Sequence, residues 1–446
     1  MPADSAIRSF DDYVKTLYPD YDAFHQATHD IAEDVIPYLL ESDDQEGIEI
    51  LKYLAQPDRV IDFRVDWRND KNQTETHRGF RVQYNNALGP YKGGLRFSDS
   101  VDLNVLFFLG FEQCFKNALT GLPLGGAKGG ANFNPHGRSD EEIRRFCQAF
   151  ITELARHIGP TTDIPAGDIG VGSREIAFMF DHYKSITGRF ESALTGKSPA
   201  FGGSCGRQEA TGYGAVYFTK EILAHHDDSL EGKRCCVSGS GNVALHTAEK
   251  LIEQQAQVLT LSDRGGTATF PDGLDQETLA KVQRKKAQRQ SLQEICEKYD
   301  FEYHDEQKPW QQKCDIAFAC ATQNELEKQD AQSLADNGCR YVIEGANMPN
   351  TDGALKLFAE KGIVVAPGKA ANAGGVAVSG LEISQNRALM PWNIDRVDEE
   401  LRKIMKDIHK SCVKYGEQNG TVNYIKGANI AAFKQLSEAM TLYGKV

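Results

Sequence analysis

The sequence predicts an α/β protein of two domains, with C-terminal helices returning to the first. Three patterns carry that prediction: period-two alternation between about residues 60 and 85, strands alternating with helical stretches from about 202 to 366, and long helical periodicity after about 382. With 446 residues, 40% hydrophobic and 25% charged, the chain has the length and apolar content for two sizeable cores. A net charge of -13 argues against a broad nucleic-acid footprint and makes any local cluster of lysines conspicuous.

The chain opens with apolar residues at helical spacing, Phe24, Ile31, Val35 and Leu39 among them, which predict two or three amphipathic helices over about 8 to 55. Val60–Trp67 and His77–Asn85 alternate and read as strands of a half-exposed sheet. The second runs into Gly89–Phe97, read as a turn that presents Lys92 beside Gly93-Gly94. Val101–Leu119 follows as a strongly apolar helix on which Gln113 and Lys116, three apart, share a face. Phe107, Phe108, Phe111 and Phe115 surround Lys116 in sequence, which sets it apart from an ordinary solvated lysine.

Gly121–Gly130 brackets Lys128 with glycines, so backbone can approach a ligand on either side of an amine whose charge state its surroundings can tune. It is not a phosphate-binding loop, since Lys128 lies between Ala127 and Gly129, and Gly196-Lys197-Ser198 has Glu191 where that motif needs its first glycine. After an amphipathic helix over Asp140–His157, Pro165-Ala166-Gly167-Asp168 holds a carboxylate on a rigid turn before the next helix. A capping aspartate would look the same. Three nearby lysines need a counter-charge or an anionic ligand, however, so Asp168 opposite Lys128 makes an acid–base pair the favoured reading.

From about 202 the pattern becomes strand–helix alternation. Lys233–Ser238 is a strand, Gly239-Ser240-Gly241-Asn242-Val243-Ala244 a turn, and His246–Gln254 a helix. That is a G-x-G-x-x-A fingerprint in a strand–turn–helix setting, where glycines admit a dinucleotide pyrophosphate to a helix N-terminus. A second strand, Gln257–Ser262, ends at Asp263, near the offset of about 20 residues for a ribose-reading acid. A charged helix over 275–298 and strands at 314–319, 341–344 and 363–366 continue the series. Gln323 and Asn347, in loops after two of those strands, are candidates for ribose or amide contacts, with turn formation as the alternative. The small residues of Pro367–Glu382 read as the chain crossing back to the first domain. The divisions are therefore 1–200 for an N-terminal α/β substrate and oligomerisation domain, 201–370 for a Rossmann-like dinucleotide-binding domain, and 371–446 for a hinge and C-terminal helices packing on the first domain.

No charged and apolar leader follows Met1-Pro2-Ala3-Asp4, no run of about 18 apolar residues occurs, and the ten cysteines show no C-x-x-C spacing. The expectation is a cytoplasmic protein without membrane or nucleic-acid partners. The eleven histidines include no H-E-x-x-H, and no metal site is expected.

In the order and spacing of Tyr91–Arg96, Gly125–Gly130, Pro165–Gly170, Gly239–Val243 and Asn372–Val376, nearly the whole chain resembles the glutamate dehydrogenase family, in its shorter bacterial and fungal NADP-linked form. The resemblance implies reversible oxidative deamination of L-glutamate to 2-oxoglutarate and ammonium with hydride transfer to a nicotinamide cofactor, in ammonium assimilation, by a homohexamer. It assigns Lys92 to the side-chain carboxylate, Lys116 with Gln113 to the α-carboxylate, and Lys128 and Asp168 to catalysis. It also implies substrate contacts from Gly167, Arg207 and Ser379, and cofactor contacts from Thr211, Gly239, Ser240, Gly241 and Asn242.

Cofactor choice rests on opposed signals. Asp263 favours the 2′-hydroxyl of NAD, whereas Ser262 and Arg264 beside it, and Lys286 in a basic run on the next helix, favour a 2′-phosphate; similarity to the biosynthetic type selects NADP, with NAD the alternative. A dehydrogenase for branched or aromatic amino acids would share Lys116, Lys128 and Asp168, but its apolar pocket has no use for Lys92. A non-catalytic NADP-binding regulator would have no reason to keep Lys128 and Asp168 together.

Overall fold

The computed structural model describes residues 2–445. They form two compact units: the chain up to Cys205, Val376–Val397 and the chain from Asn429 on make the first, while Gly206–Gly375 and Asp398–Ala428 make the second.

The first unit begins with helices α1 (Ala3–Leu17), α2 (Asp22–Glu41) and α3 (Gln45–Leu54). Their apolar stripes, including Phe10, Phe24, Ile31, Val35, Leu39 and Leu51, are fully buried. A five-stranded sheet follows, built from β1 (Arg59–Arg68), β2 (Thr74–Asn85), β3 (Tyr91–Phe97), β4 (Gly126–Ala131) and β5 (Asp163–Gly167) in the order β1-β2-β4-β3-β5. β2 pairs antiparallel with β1 and β4, whereas β3 pairs parallel with β4 and β5. Helix α4 (Leu103–Leu119) covers one face; Cys114 lies so close to Gly126 that a Cβ there would come within 2.2 Å of its Sγ. Helices α5 (Asp140–Leu154) and α6 (Ser173–Thr187) cover the other, over Leu95, Phe97, Phe133, Phe146, Phe150 and Ile176. A capping box between Ser139 and Glu142 starts α5.

Two glycine-rich stretches, the first read from sequence as a turn and the second as a segment that lets backbone approach a ligand, run into strands. Gly89–Phe97 turns only as far as Pro90 before entering β3, and Gly121–Gly130 enters β4 at Gly126, which makes Lys128 a residue of the middle strand. Asp163–Gly167, read as part of the Asp168 turn, is likewise strand β5. Glycine is depleted in strands because it adds no packing side chain. Here it is needed for close approach, since a Cβ at Gly93 would sit 1.6 Å from the Ala127 carbonyl oxygen.

The second unit starts with α7 (Ala210–His225), β6 (Arg234–Val237), α8 (Asn242–Glu253) and β7 (Gln257–Val258). The expected single strand over 257–262 is split, because β8 (Thr260–Asp263) leaves the parallel sheet to pair antiparallel with β9 (Gly266–Thr269). The expected helix over 275–298 is also two, α9 (Gln276–Ala287) and α10 (Leu292–Tyr299), separated where Arg289 takes φ 63° and Ser291 caps the second. Strand β10 (Glu302–Asp305) completes the small sheet. Then β11 (Ile316–Ala319), α11 (Lys328–Asp336), β12 (Tyr341–Glu344), α12 (Asp352–Lys361), β13 (Val364–Ala366) and the short α13 (Gly368–Ala371) continue the alternation. The main sheet is wholly parallel in the order β13-β12-β11-β6-β7.

The C-terminal elements are α14 (Gly374–Ala388), α15 (Ile394–Gly416), a hairpin of β14 (Glu417–Gln418) and β15 (Thr421–Val422), and α16 (Tyr424–Leu442). Each of these three helices runs across a boundary between units. The expectation that all of 371–446 packs on the first domain is corrected for Asp398–Ala428, which belongs to the second unit. Met405 lies against Gly214 of α7, and His409 packs edge-on to Phe218 with ring centroids 5.7 Å apart. Helical periodicity shows that α15 has an apolar face but not which layer that face covers.

Candidate active site

Strand β4 carries Lys128 into the first unit's interior, where it is 5% exposed. Its Nζ lies 2.8 Å from Oδ2 of Asp168, the residue just after β5, whose backbone bridges Val171 in a tight turn. Arg96, on β3, places its Nε 3.0 Å from the same oxygen. Burial lowers the Lys128 pKa below the ordinary lysine value; Asp168 opposes that shift, and Arg96 and Arg81 reinforce it. Burial alone would raise the Asp168 carboxyl, but Lys128 and Arg96 outweigh it and hold the pKa at about 2. The pair therefore joins a carboxylate that stays ionised at neutral pH to an amine whose proton is loosened.

Buried polar contacts hold the strands that bear these groups. Arg81, 0% exposed on β2, donates from Nε and Nη2 to the two oxygens of Asp163 on β5, at 2.9 and 2.5 Å, and from Nη1 to the Gly93 carbonyl on β3 at 3.1 Å. Asn117 on α4 donates to the Lys92 carbonyl at 3.0 Å and accepts from Gln113 Nε2 at 2.7 Å, tying two candidate substrate residues to one amide. Lys92 is 1% exposed, while Gln113 and Lys116 are partly buried. Gly167 closes β5 so tightly that a Cβ there would lie 2.4 Å from the Val171 carbonyl. Ser379 is buried on α14, whose Gly380 packs on Leu122 and Leu124 in the segment leading to β4. The first unit thus concentrates Lys92, Arg96, Lys116 and Lys128 around Asp168's half of the sheet, a setting suited to an anionic substrate.

The other candidates lie in the second unit: the fingerprint turn, Gln323 and Asn347 follow β6, β11 and β12 of its parallel sheet, Ser262, Asp263 and Arg264 lie at the end of β8, Lys286 on α9, and Arg207 and Thr211 around the start of α7. After β6, Gly239 takes φ +84° and donates its N–H to Ser262 Oγ at 2.8 Å. Ser262 thus holds the fingerprint turn to β8. Gly241 caps α8 without a side-chain acceptor and faces open space, so the helix N–H groups are presented to a ligand rather than to a capping side chain. Uncapped amides and a cradle without Cβ atoms fit the pyrophosphate of a dinucleotide. Ser240 is buried, Asn242 donates to the Gln208 carbonyl at 2.6 Å, and Thr211 and Arg207 both flank Gly375.

Asp263 accepts from the Gly265 and Leu292 amides at 3.0 and 2.8 Å and from the Tyr303 hydroxyl at 3.2 Å, with Lys286 Nζ 4.0 Å away. Arg264 and Gln323 are exposed, and Asn347 is exposed while accepting from Asn372 at 3.1 Å. Arg207 belongs to this second unit, unlike Lys92, Gln113, Lys116, Gly167 and Ser379.

Sequence reasoning passed over Arg96, Arg81, Asp163 and Asn117. Arg96 had a signal: it lies four residues after Lys92, so in a strand the two share a face. Reading Gly89–Phe97 as a turn removed that parity. Arg81 and Asp163 are ordinary charged residues in sequence, and only the β2–β4–β3–β5 order brings them together.

A fingerprint turn on a parallel sheet in one unit and a buried lysine–aspartate pair on a mixed sheet in the other define a two-domain dehydrogenase. The Glutamate/Leucine/Phenylalanine/Valine dehydrogenase family matches residues 202–444, and its dimerisation domain matches 57–185. A glutamate dehydrogenase of Bacteroides thetaiotaomicron is 50% identical over 99% of this chain and 100% of its own length. An NADP-specific glutamate dehydrogenase of Salmonella typhi is 48% identical over 99% of each chain. The crystal structure of Plasmodium falciparum glutamate dehydrogenase superposes with a TM-score of 0.97 at 46% identity, over 99% of this chain and 95% of that one. The chain belongs to the glutamate dehydrogenase family and is an oxidoreductase.

Proposed function

We propose that the protein catalyses the reversible oxidative deamination of L-glutamate to 2-oxoglutarate and ammonium, with NADP(H) as cofactor, in cytoplasmic ammonium assimilation. The observation that carries this reading is Lys92, a cation 1% exposed on β3, next to the strand of Lys128 and on the same strand face as Arg96, a placement that suits a second, side-chain carboxylate on the substrate. Lys92 binds the side-chain carboxylate, and Lys116 with Gln113 binds the α-carboxylate. Gly167, Arg207 and Ser379 add further substrate contacts.

When bound, the nicotinamide supplies the hydride acceptor or donor for the substrate Cα. Lys128, whose pKa burial lowers from the ordinary lysine value, polarises the substrate's carbonyl or imine and hands a proton to or from the attacking water. Asp168, ionised at neutral pH, holds the ammonium and exchanges protons with it. Thr211, Ser240, Asn242, Gln323, Asn347 and the Gly239 and Gly241 backbone hold the dinucleotide.

Lys286 near Asp263, with Arg264 beside it, supports a 2′-phosphate site, as does the name of the Salmonella typhi relative. Asp263 itself favours NAD. A homohexamer is proposed on the family resemblance, with contacts from the N-terminal region, where the matched dimerisation domain lies. Initial rates of nicotinamide absorbance change with 2-oxoglutarate and ammonium, run with NADPH and with NADH, test the whole reading. Preference for NADPH is the expected result; turnover mainly with NADH reverses the cofactor assignment, and none with either removes glutamate as substrate.

A further inference from the structure

Glu325 was given no role by its sequence, yet it joins the two loops that meet at the carboxyl ends of β6 and β11. Its Oε1 lies 3.0 Å from the Ser238 hydroxyl, immediately before the fingerprint Gly239, and accepts from the Ala321 amide at 3.0 Å. Ser238 Oγ in turn accepts from the Cys320 amide at 2.8 Å. One carboxylate thus fixes the start of the dinucleotide turn against the loop that carries Gln323. Lys308 donates to the Glu325 carbonyl at 3.0 Å and pairs with Asp330 of α11 at 2.6 Å, and the buried Cys320 thiol is pushed up to about 12. Burial raises the Glu325 carboxyl to about 7 against the lowering effect of the Ser238 hydroxyl, the Ala321 and Thr322 amides and Lys308.

We infer that Glu325 is a positioning residue of the dinucleotide site whose carboxylate takes up a proton from solvent as the anionic cofactor binds, so that cofactor affinity falls as pH rises through neutrality. The physical cause is charge. Ser238, which donates to this carboxylate, directly precedes the fingerprint Gly239, so an anionic dinucleotide bound on that turn would add negative charge near a partly buried carboxylate and favour its neutral form. The neutral carboxyl still offers an acceptor oxygen to the Ala321 amide, so the loop stays joined when the proton is bound.

This rests on the proposed dinucleotide site, and the two ideas fail differently. Binding of NADPH, and of NADH as a probe lacking the 2′-phosphate, is measured by calorimetry at pH 6.5 to 8.5 in pairs of buffers with different ionisation enthalpies. The wild-type protein should take up a fraction of a proton per site, and its Kd should rise roughly three- to tenfold across that range. Glu325→Gln, permanently neutral, should lose both the uptake and that part of the pH slope. Ser238→Ala, which removes a hydrogen bond to the carboxylate, should move the midpoint upward and decides the matter if the glutamine variant does not fold. Wild-type uptake and slope in Glu325→Gln, or an unmoved midpoint in Ser238→Ala, overturns the role of Glu325 alone. Absence of dinucleotide binding at every pH overturns the cofactor site as well.

Discussion

Arg96 and Lys128 share one oxygen of Asp168, Arg96 through Nε at 3.0 Å and Lys128 through Nζ at 2.8 Å. The carboxylate and the arginine have opposite effects on the lysine. Asp168 favours the charged amine, while Arg96 disfavours it. The arginine therefore holds the carboxylate in place and also weakens the grip of that carboxylate on the Lys128 proton.

Replacing Asp168 by Asn removes the group that raises the Lys128 pKa while leaving burial and Arg96 to lower it. The ionisation governed by Lys128 should then move to lower pH, and turnover should fall roughly 10²- to 10⁴-fold, the range for loss of a general acid–base group. Substrate KM should change far less. Steady-state kinetics from pH 6 to 10 provide the check; near-normal turnover would remove Asp168 from the proton path.

Arg96→Gln should shift the same ionisation the other way. Without the arginine, a like charge no longer depresses Lys128, and the Asp168 carboxyl rises from about 2. The acidic limb of the rate profile should move upward, with turnover down by about 10- to 100-fold from loss of carboxylate positioning. Profiles of the Arg96 and Asp168 variants displaced in the same direction would contradict the shared-oxygen account.

The lysine–aspartate pair was legible in sequence because each residue stands out locally, Lys128 among glycines and Asp168 between Pro165 and Gly170. The fingerprint turn was legible for a similar reason, since its glycines and flanking strand and helix are contiguous. What could not be read were relations set by strand order. Arg81 and Asp163 are far apart in sequence and meet only through the sheet. Glycine's poor strand propensity disguised β3 as a turn and hid β4, because its packing value at Gly93 and Gly126 depends on neighbours absent from the local sequence. The departure of β8 to a second sheet and the placement of Asp398–Ala428 with the second unit are likewise tertiary outcomes.

The buried Arg81–Asp163 pair yields a stability prediction. Both side chains are 0% exposed, so Arg81→Met leaves an uncompensated carboxylate and should cost about 3–5 kcal/mol. The double variant Arg81→Met, Asp163→Leu should recover a large part of that loss, because no charge is then left buried. Urea unfolding midpoints of the three proteins report the difference. A double variant no more stable than the single one would show that the pair matters through its bonds to Gly93 and Gln83 rather than through charge balance.

Lys92→Leu addresses substrate choice. Loss of a charge-assisted hydrogen bond to the side-chain carboxylate should lower kcat/KM for glutamate by roughly 10- to 150-fold, corresponding to about 1.5–3 kcal/mol. Activity on monocarboxylic amino acids should be kept or gained, since the leucine supplies apolar surface of similar length. Unchanged kinetics with glutamate would take Lys92 out of the substrate site.

Cofactor choice turns on Lys286 and Arg264. The Asp263 carboxylate is oriented by the Gly265 and Leu292 amides and the Tyr303 hydroxyl, with Lys286 Nζ 4.0 Å from its Oδ2. A carboxylate in that position repels a 2′-phosphate unless cations beside it more than offset its charge. Replacing Lys286 and Arg264 together by Ala should therefore weaken NADPH by roughly 10- to 150-fold, as expected for loss of charge-assisted contacts, and leave NADH within about twofold. Fluorescence titration with each reduced cofactor separates the two effects without relying on turnover. Equal weakening of both would place the cations on the pyrophosphate rather than the 2′-phosphate, and no weakening of either would make Asp263 the residue that selects the cofactor, in favour of NAD.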